Sequence, residues 1–359
     1  MKENEIKNLL YSFFSRQTGD AYKLLNAKYD LSAKFQKLKI KEGYDYETKL
    51  LKFKELSGDS DIVLNDLSEL YKNNIKYGSK FIRFYKLNPD SINALSSRIK
   101  TIEKENHIII ENYPYLISLE EKERVATEKI YFCEKTTSEN EISLIYTSIV
   151  EYSERQAIPI EDIQNSNEFK KYNEIYGVIK KKDQFFNIVN LNTRTGILEI
   201  RVDYLNTMSD TVIKNNYYSF ITSFLSKLDL PIDFLKLKNF NIYNSIKELY
   251  KNEKQGILVE LSFLTKTAIN VQLKRRKYKT DIREEEYHVA GENAIKGLID
   301  IYRVAFIWQN KDTYYNELLI PGNSGTINSV DINEVILKNC IFSEDFYFLK
   351  GKIFEYLQK

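Results

Sequence analysis

Histidine, cysteine and tryptophan are scarce in this chain of 359 residues, which contains two, two and one of them. A structural zinc ion takes about four cysteine or histidine ligands. The four that exist are scattered between His107 and Cys340, without a CxxC pair. We therefore expect no zinc site, no cofactor and little scope for histidine-dependent catalysis. A magnesium site built from carboxylates stays open, because the chain has 51 aspartates and glutamates.

Long hydrophobic runs are absent as well. No stretch approaches the ~18 apolar residues of a membrane span, and the first residues lack the pattern of a signal peptide. The two cysteines, Cys133 and Cys340, lie far apart, which is typical of a protein in a reducing compartment. We expect a cytoplasmic protein that does not contact membranes.

A large excess of one charge is also missing. The chain has 53 basic and 51 acidic residues, so its net charge is only +2. A general electrostatic attraction to nucleic acid is therefore excluded, and any such binding requires a local basic patch. Hydrophobic residues make up 43% and charged residues 29%, which is the composition of a globular protein.

The first third of the chain has the hydrophobic period of helices. Five apolar residues near the start lie on one helical face: Ile6, Leu9, Leu10, Phe13 and Phe14. Similar stripes recur to about residue 102. We predict a helical domain over residues 1–120.

From residue 121 the pattern favours strands. Leu198, Ile200 and Val202 alternate with charged residues, which is typical of a half-buried antiparallel strand whose charged side chains face water. Gly196 fits the loop before this strand, since glycine can adopt a positive φ. A strong helical stripe follows at residues 213–228, and another is predicted from Glu284 to Tyr302.

These patterns predict an α+β fold, with the helical N-terminal domain followed by a mixed, mainly antiparallel sheet domain with packed helices. The second domain, residues 121–359, contains two hairpin-helix units at about 185–228 and 256–302, and then a strand-rich tail. The repeated order has two explanations, an internal duplication or two unrelated units of the same kind.

A basic run is the most distinctive local feature. Between Lys266 and Arg283 there are seven basic residues and one acid, Asp281, so the segment carries a charge of +6. Such a run at a strand end can follow a phosphate backbone, and Tyr278 can stack on an unpaired base. The candidate nucleic-acid-binding residues are Lys274, Arg275, Arg276, Lys277 and Lys279. The alternative is a solvated strand end, neutralised by the three glutamates Glu284–Glu286.

Two short motifs suggest catalysis. Arg283 and His288 have the R-x4-H spacing that resembles the HEPN ribonuclease family, in which an arginine and a histidine on one helix cleave RNA. The segment around Ser324 resembles the nucleophile turn of chymotrypsin-like serine proteases, which also need a histidine and an aspartate. A loop between two strands explains the second motif without catalysis.

A metal-dependent nuclease is the third catalytic alternative. Asp203 and Glu260 are acids on predicted strands, but the lysine that such nucleases place two residues after the glutamate is missing. Strand alternation instead predicts that both carboxylates face water.

The best hypothesis is a non-enzymatic nucleic-acid-binding protein, DNA-binding or RNA-binding, that uses Lys274–Lys279. Such a protein could be an accessory subunit of a bacterial multi-component system such as phage defence or plasmid maintenance. We expect it to associate with a protein partner or with a second copy of itself. A nuclease and a pure protein-interaction subunit are the alternatives.

Overall fold

The protein is described here by a computed structural model. The structure describes residues 3–16, 60–127, 129–163, 168–169, 171–205, 208–236, 238–252, 255–275, 280–295, 297–310 and 314–357. Its helices are α1 (Glu3–Ser15), α2 (Ser60–Tyr77), α3 (Pro89–Lys100), α4 (Ile108–Glu111), α5 (Leu119–Arg124), α6 (Asp210–Lys227), α7 (Tyr243–Lys251), α8 (Glu286–Ala294), α9 (Ser324–Ser329) and α10 (Ser343–Phe354). Short 3-10 helices cover Ile160–Asp162, Ile232–Leu235 and Ile282–Glu284.

The strands are β1 (Lys80–Lys86), β2 (Ile130–Thr137), β3 (Glu141–Ala157), β4 (Tyr176–Asn192), β5 (Ile197–Asp203), β6 (Ile257–Thr265), β7 (Asn270–Lys274), β8 (Ile299–Asn310), β9 (Tyr314–Ile320) and β10 (Glu334–Lys338). All ten join one sheet in the order β2-β3-β4-β5-β1-β10-β9-β8-β6-β7. Every pair of neighbouring strands is antiparallel. The predicted α+β class is confirmed.

Strand β1 joins the two halves of the sheet, although it lies in the third of the chain that the sequence predicts as helical. It pairs with β5 on one side and with β10 on the other. The prediction of helices alone before residue 120 is therefore wrong at residues 80–86. A strand of seven residues between two helices is too short for its periodicity to be recognised beside the helical pattern. The division into domains at residue 120 stays a prediction.

Helices cover both faces of this sheet. Ile82 and Phe84 of β1 belong to the core beneath α7 and α10, whereas Phe81 and Tyr85 belong to the core beneath α6. Alternate residues of a strand point to opposite faces, so β1 contributes to both cores. Near β3 and β4, helices α1 and α2 cover the same face of the sheet that α7 and α10 cover near β1.

Strand β5 is buried on both faces, contrary to the expected exposure of its charged side chains. Glu199, Arg201 and Asp203 are all buried. Glu199 accepts hydrogen bonds from Arg201 and Lys350, and Asp203 accepts hydrogen bonds from Lys80. Because β5 lies near the middle of the sheet under helices, its alternating charges mark internal ion pairs and not a wet face.

Several predicted elements are confirmed. Gly196 has φ +67° in the loop between β4 and β5, where a Cβ atom would lie 2.6 Å from the Leu87 carbonyl oxygen. Helix α6 begins after Ser209, whose hydroxyl accepts a hydrogen bond from the Val212 amide. The hairpin β6–β7 also lies where the sequence predicts it.

The helix predicted from Glu284 to Tyr302 is only partly present. Helix α8 ends at Ala294, and Gly297 follows with φ +66°, a conformation that interrupts a helix. Residues from Ile299 onward form β8, which pairs with β6 and β9. Ile295, Leu298, Ile299 and Tyr302 have helical spacing, but this spacing spans the end of α8 and the start of β8, so the stripe alone does not show where the helix ends.

Among the described residues, no helix has the length and apolar character needed to cross a membrane.

Candidate nucleic-acid interface

Strand β7 lies at one edge of the sheet, since β6 is its only partner among the described strands. Val271 and Leu273 are half-buried and pack against the core beneath α7 and α10. Asn270, Gln272 and Lys274 alternate with them and are exposed. The edge strand thus presents three polar side chains in a row on its outer face, two with amide groups and one with a positive charge.

Lys274 is the first of the predicted binding residues, and its side chain is 76% exposed. Its Nζ lies 3.3 Å from Glu260 Oε2, and Glu260 is its direct cross-strand partner on β6. Glu260 also accepts a hydrogen bond from Arg303 of β8. Burial alone would raise the pKa of the Glu260 carboxyl, but Arg303 and Lys274 together lower it.

A polar groove of about 390 Å³ opens beside β7 on this face of the sheet. Asn270, Gln272 and Lys274 line it together with Arg303 and Tyr302 of β8. Its far wall is the turn that leads into α9, where Gly322 and Asn323 also border a second polar cavity beside Arg83 and Glu334. The groove therefore combines amides, a phenol and two cations with the carboxylates of Asp210 and Glu260. The amides and the cations are groups that contact phosphates, sugars and base edges.

Gly322 shapes the wall of the groove. A Cβ atom at this position would lie 1.9 Å from the Tyr302 carbonyl oxygen, a distance that no side chain tolerates. Only glycine lets the turn before α9 approach β8 so closely. The glycine of the predicted protease-like motif thus has a structural role in this turn.

Arg275 differs from Lys274 in its surroundings. Its guanidinium donates a hydrogen bond of 2.9 Å to the Asp281 carbonyl oxygen, and its backbone amide donates to the Val259 carbonyl at 3.0 Å. Its Nε is buried without a hydrogen-bond partner. Arg275 therefore connects the end of β7 to Asp281, the residue before the 3-10 helix Ile282–Glu284. Arg276, Lys277 and Lys279 lie outside the described residues.

The three glutamates after the basic run do not neutralise its described cations. Glu284, Glu285 and Glu286 are exposed, and the Glu285 carboxylate accepts a hydrogen bond of 2.9 Å from the His288 amide. Lys274 instead pairs with Glu260, and Arg283 pairs with an aspartate.

Arg283 and His288 lie on different helices, so they do not form the single-helix pair that the HEPN spacing implies. Arg283 belongs to the 3-10 helix, and it binds the Asp281 carboxylate and the carbonyl oxygens of Asn252 and Gly256, each of the latter at 2.8 Å. His288 of α8 is buried, and its Nε2 lies 2.9 Å from the Tyr250 hydroxyl. Both side chains have structural partners.

Ser324 is the first residue of α9 and borders the polar groove. Neither histidine of the chain accompanies it. The ring of His107 accepts a hydrogen bond from the Ile109 amide and packs 4.3 Å from the ring of Tyr131, and His288 is bonded to Tyr250. The serine therefore lacks the histidine base of the protease triad that its motif resembles.

The strand carboxylates are held by cations and not arranged for a metal ion. Asp203 binds Arg16 through two hydrogen bonds of 2.8 and 3.0 Å and also binds Lys80, while Glu260 binds Arg303 and Lys274. Burial acts to raise the pKa of the Asp203 carboxyl, but Arg16 and Lys80 outweigh it and lower that pKa. Within the described ranges, no cluster of histidine, cysteine and acidic side chains could hold a metal ion.

Sequence reasoning identified Lys274 but not the groove around it. Arg303 and Tyr302 come from β8, and Asn323 comes from the turn before α9. The opposite charges of Glu260 on β6 and Arg303 on β8 are the signal in the sequence that could have connected these residues. That signal can be interpreted only when the order and register of the strands are known.

No protein-family model matches this chain, and a search of curated proteins finds no significant match. The geometry of the site therefore carries the functional argument alone.

Proposed function

We propose that the protein binds nucleic acid through the outer face of β7 and the basic residues that follow it. The observation that carries this proposal is the exposure of Lys274 at the start of the groove, with Asn270 and Gln272 in the same row. A cation contributes to nucleic-acid affinity when it can reach a phosphate and release counterions. Lys274 meets this condition, and four further cations, Arg275, Arg276, Lys277 and Lys279, follow within five residues.

The proposal assigns no catalytic role to the chain. It is supported by the structural partners of Arg283, His288 and the strand carboxylates. A cytoplasmic location fits the two free cysteines, both of which are buried. Membership of a bacterial defence or plasmid-maintenance system is part of the same hypothesis, and the identity of the neighbouring genes tests it.

Salt dependence is the decisive measurement. Fluorescence anisotropy with labelled single-stranded DNA, single-stranded RNA and duplex DNA would be recorded between about 50 and 200 mM salt. Each phosphate contact contributes a slope of about −0.9 on duplex DNA and −0.7 on single strands in the plot of log affinity against log salt. The variant replaces four cations by alanine: Lys274, Arg276, Lys277 and Lys279. We expect it to lose up to about 3–4 units of slope.

The control replaces Lys180, Lys181 and Lys182 of β4, which pair with glutamates at distances of 2.6–3.3 Å. This variant removes a similar charge from another surface, so we expect nearly unchanged binding. Arg275 is left intact, since it donates a hydrogen bond to the Asp281 carbonyl oxygen.

The alternatives have distinct outcomes in the same assay. If all variants bind with the same salt sensitivity, then the interface lies elsewhere than at β7. Absence of binding to all three polymers would overturn the proposal and leave the protein-interaction subunit. Shortened RNA or DNA after incubation would favour a nuclease, and the variants His288→Ala and Glu260→Gln would then identify which kind.

A further inference from the structure

A further cavity lies between helix α6 and the strands β2 and β3, separate from the groove beside β7 and from the cavity beside Arg83. Its volume is about 310 Å³. That size is at the lower end of the ~300–1,000 Å³ range of small-molecule sites, so it suits a compact ligand and not a dinucleotide. The described residues that line it are Thr127, Ile130, Ser148, Ile149, Val150, Glu151, Val212, Asn215, Asn216, Ser219 and Phe220.

The amide of Asn216 is the notable feature of this cavity. Asn216 is 7% exposed, and its Nδ2 is buried without a hydrogen-bond partner in the described structure. A buried donor without a partner lowers the stability of the folded protein. Such a cost is normally avoided, and a donor left unpaired at the wall of a cavity can be satisfied by a ligand that accepts its hydrogen bond.

Two further unpaired polar atoms lie in the same layer beneath α6. The hydroxyl of Tyr146 and Oδ1 of Asn187 are buried without partners, and these residues face each other across β3 and β4. The Tyr146 ring packs against Phe220, with 5.8 Å between centroids, and Asn187 donates to the Ser148 hydroxyl at 3.5 Å. Phe220 and Ser148 both line the cavity. Tyr146 and Asn187 thus each contact a residue that lines the cavity.

The charges that line the cavity indicate which ligand charge it can accept. Among the described lining residues only Glu151 is ionisable, and its carboxylate lies 3.3 Å from Lys180 Nζ. A negatively charged ligand would find no cation in these walls, and it would lie beside a carboxylate. The remaining lining is divided between aliphatic or aromatic side chains and small neutral polar groups, which favours an uncharged ligand.

We propose that this cavity binds an uncharged nucleobase, as part of a nucleoside or of an unpaired nucleotide. A base has apolar faces that suit Ile130, Val212 and Phe220, and a polar edge whose ring nitrogen or carbonyl accepts a hydrogen bond from Asn216 Nδ2. A sugar is fully polar around its rim and would leave the aliphatic wall unmatched. The inference concerns a site other than β7 and does not depend on the proposed phosphate contacts.

The test uses free nucleosides, which carry no phosphate. Calorimetric titration of the full chain with adenosine, guanosine, cytidine and uridine is expected to give a dissociation constant below about 1 mM for at least one of them. Ribose and glucose serve as sugar probes, for which we expect no binding.

Two variants locate the binding. Asn216→Ala removes the donor and should weaken nucleoside binding about tenfold, the equivalent of one hydrogen bond. Ser219→Phe fills the cavity mouth and should abolish binding. The control is Asn244→Ala, which changes an exposed asparagine on α7, the helix on the opposite face of the sheet. Thermal unfolding of each variant confirms that it is folded.

Three outcomes overturn the inference: no nucleoside binds, sugars bind as well as nucleosides, or binding persists in both Asn216→Ala and Ser219→Phe. If the phosphate interface at β7 fails its own salt test while nucleosides still bind here, the cavity proposal stands and the proposed function does not.

Discussion

Lys274 and Glu260 face each other directly across the β6–β7 ladder, with Nζ 3.3 Å from Oε2. The glutamate also holds Arg303, so one carboxylate lies beneath two cations of the polar groove. A phosphate that approaches Lys274 has to compete with this carboxylate. The Glu260 carboxylate therefore reduces the attraction between Lys274 and a phosphate. A local contact in the sheet thus affects the proposed function.

Glu260→Gln is expected to strengthen nucleic-acid binding. The change removes a negative charge from the groove, and since an exposed ion pair is worth up to about 1 kcal/mol, affinity at low salt should rise about 2–5-fold. The matched control is Glu317→Gln: the side chain of Glu317 has the same exposure as that of Glu260, and it pairs with Lys338, whose Nζ lies 2.7 Å from the glutamate oxygen. Anisotropy at two salt concentrations measures the effect. An equal gain in both variants would show that only overall charge matters.

Arg275 and Lys274 are adjacent but should respond differently to substitution by alanine. Arg275→Ala removes the hydrogen bond to the Asp281 carbonyl and should lower the free energy of unfolding by about 1–2 kcal/mol. Lys274→Ala removes an exposed side chain and should change it by less than about 0.5 kcal/mol. Urea denaturation distinguishes them. Equal stability of the two variants would contradict the structural role of Arg275.

The buried pair of Asp203 and Arg16 predicts a loss of stability in acid. Burial acts to raise the pKa of the Asp203 carboxyl, but Arg16 and Lys80 outweigh it, so the folded pKa lies below the unfolded value of 3.8. Its stabilising contribution is thus fully present above pH 3.8 and disappears as pH falls through the folded pKa. Asp203→Asn should cost about 3–5 kcal/mol at pH 7, since it leaves two buried cations without a carboxylate.

Urea titrations at neutral and acidic pH test this prediction. The difference between the parent protein and Asp203→Asn should shrink as the pH approaches the folded pKa of the aspartate, because protonation then imitates the substitution. Glu344→Gln is a suitable control, since Glu344 is exposed on α10. A constant difference at all pH values would exclude ionisation of Asp203 as the cause.

The sequence predicts local elements well where a single period holds over many residues. The helical stripe at 213–228 became α6, and the alternation at 257–273 became β6 and β7. The short strand β1 was missed, because seven residues without alternating polarity are explained equally well by a helix or a strand. Its burial on both faces follows from its place in the sheet.

The candidate site shows the same limit. The basic run and its +6 charge are visible in the sequence, but the groove depends on Arg303, Tyr302 and Asn323, which are distant in the chain. Likewise the alternation in β5 predicted exposed acids, whereas the order of the strands places Asp203 beneath helices. Strand order and register are tertiary properties, and a local pattern does not contain them.

Gly322 provides a test of the groove itself. In Gly322→Ala the new Cβ would lie 1.9 Å from the Tyr302 carbonyl oxygen, so the turn before α9 has to move away from β8. We expect a loss of about 3 kcal/mol or more, at or above the upper end of the usual cost of overpacking. The groove wall moves with the turn, so nucleic-acid affinity should also fall.

Gly351→Ala is the matched control, because a Cβ atom there meets nothing within 4 Å and the residue lies inside helix α10. Alanine is the better helix former, so this variant should gain about 0.5–1 kcal/mol. Thermal and urea unfolding measure both changes, and anisotropy measures binding. If Gly322→Ala is as stable as Gly351→Ala and binds nucleic acid normally, then the close approach between the turn and Tyr302 does not define the groove.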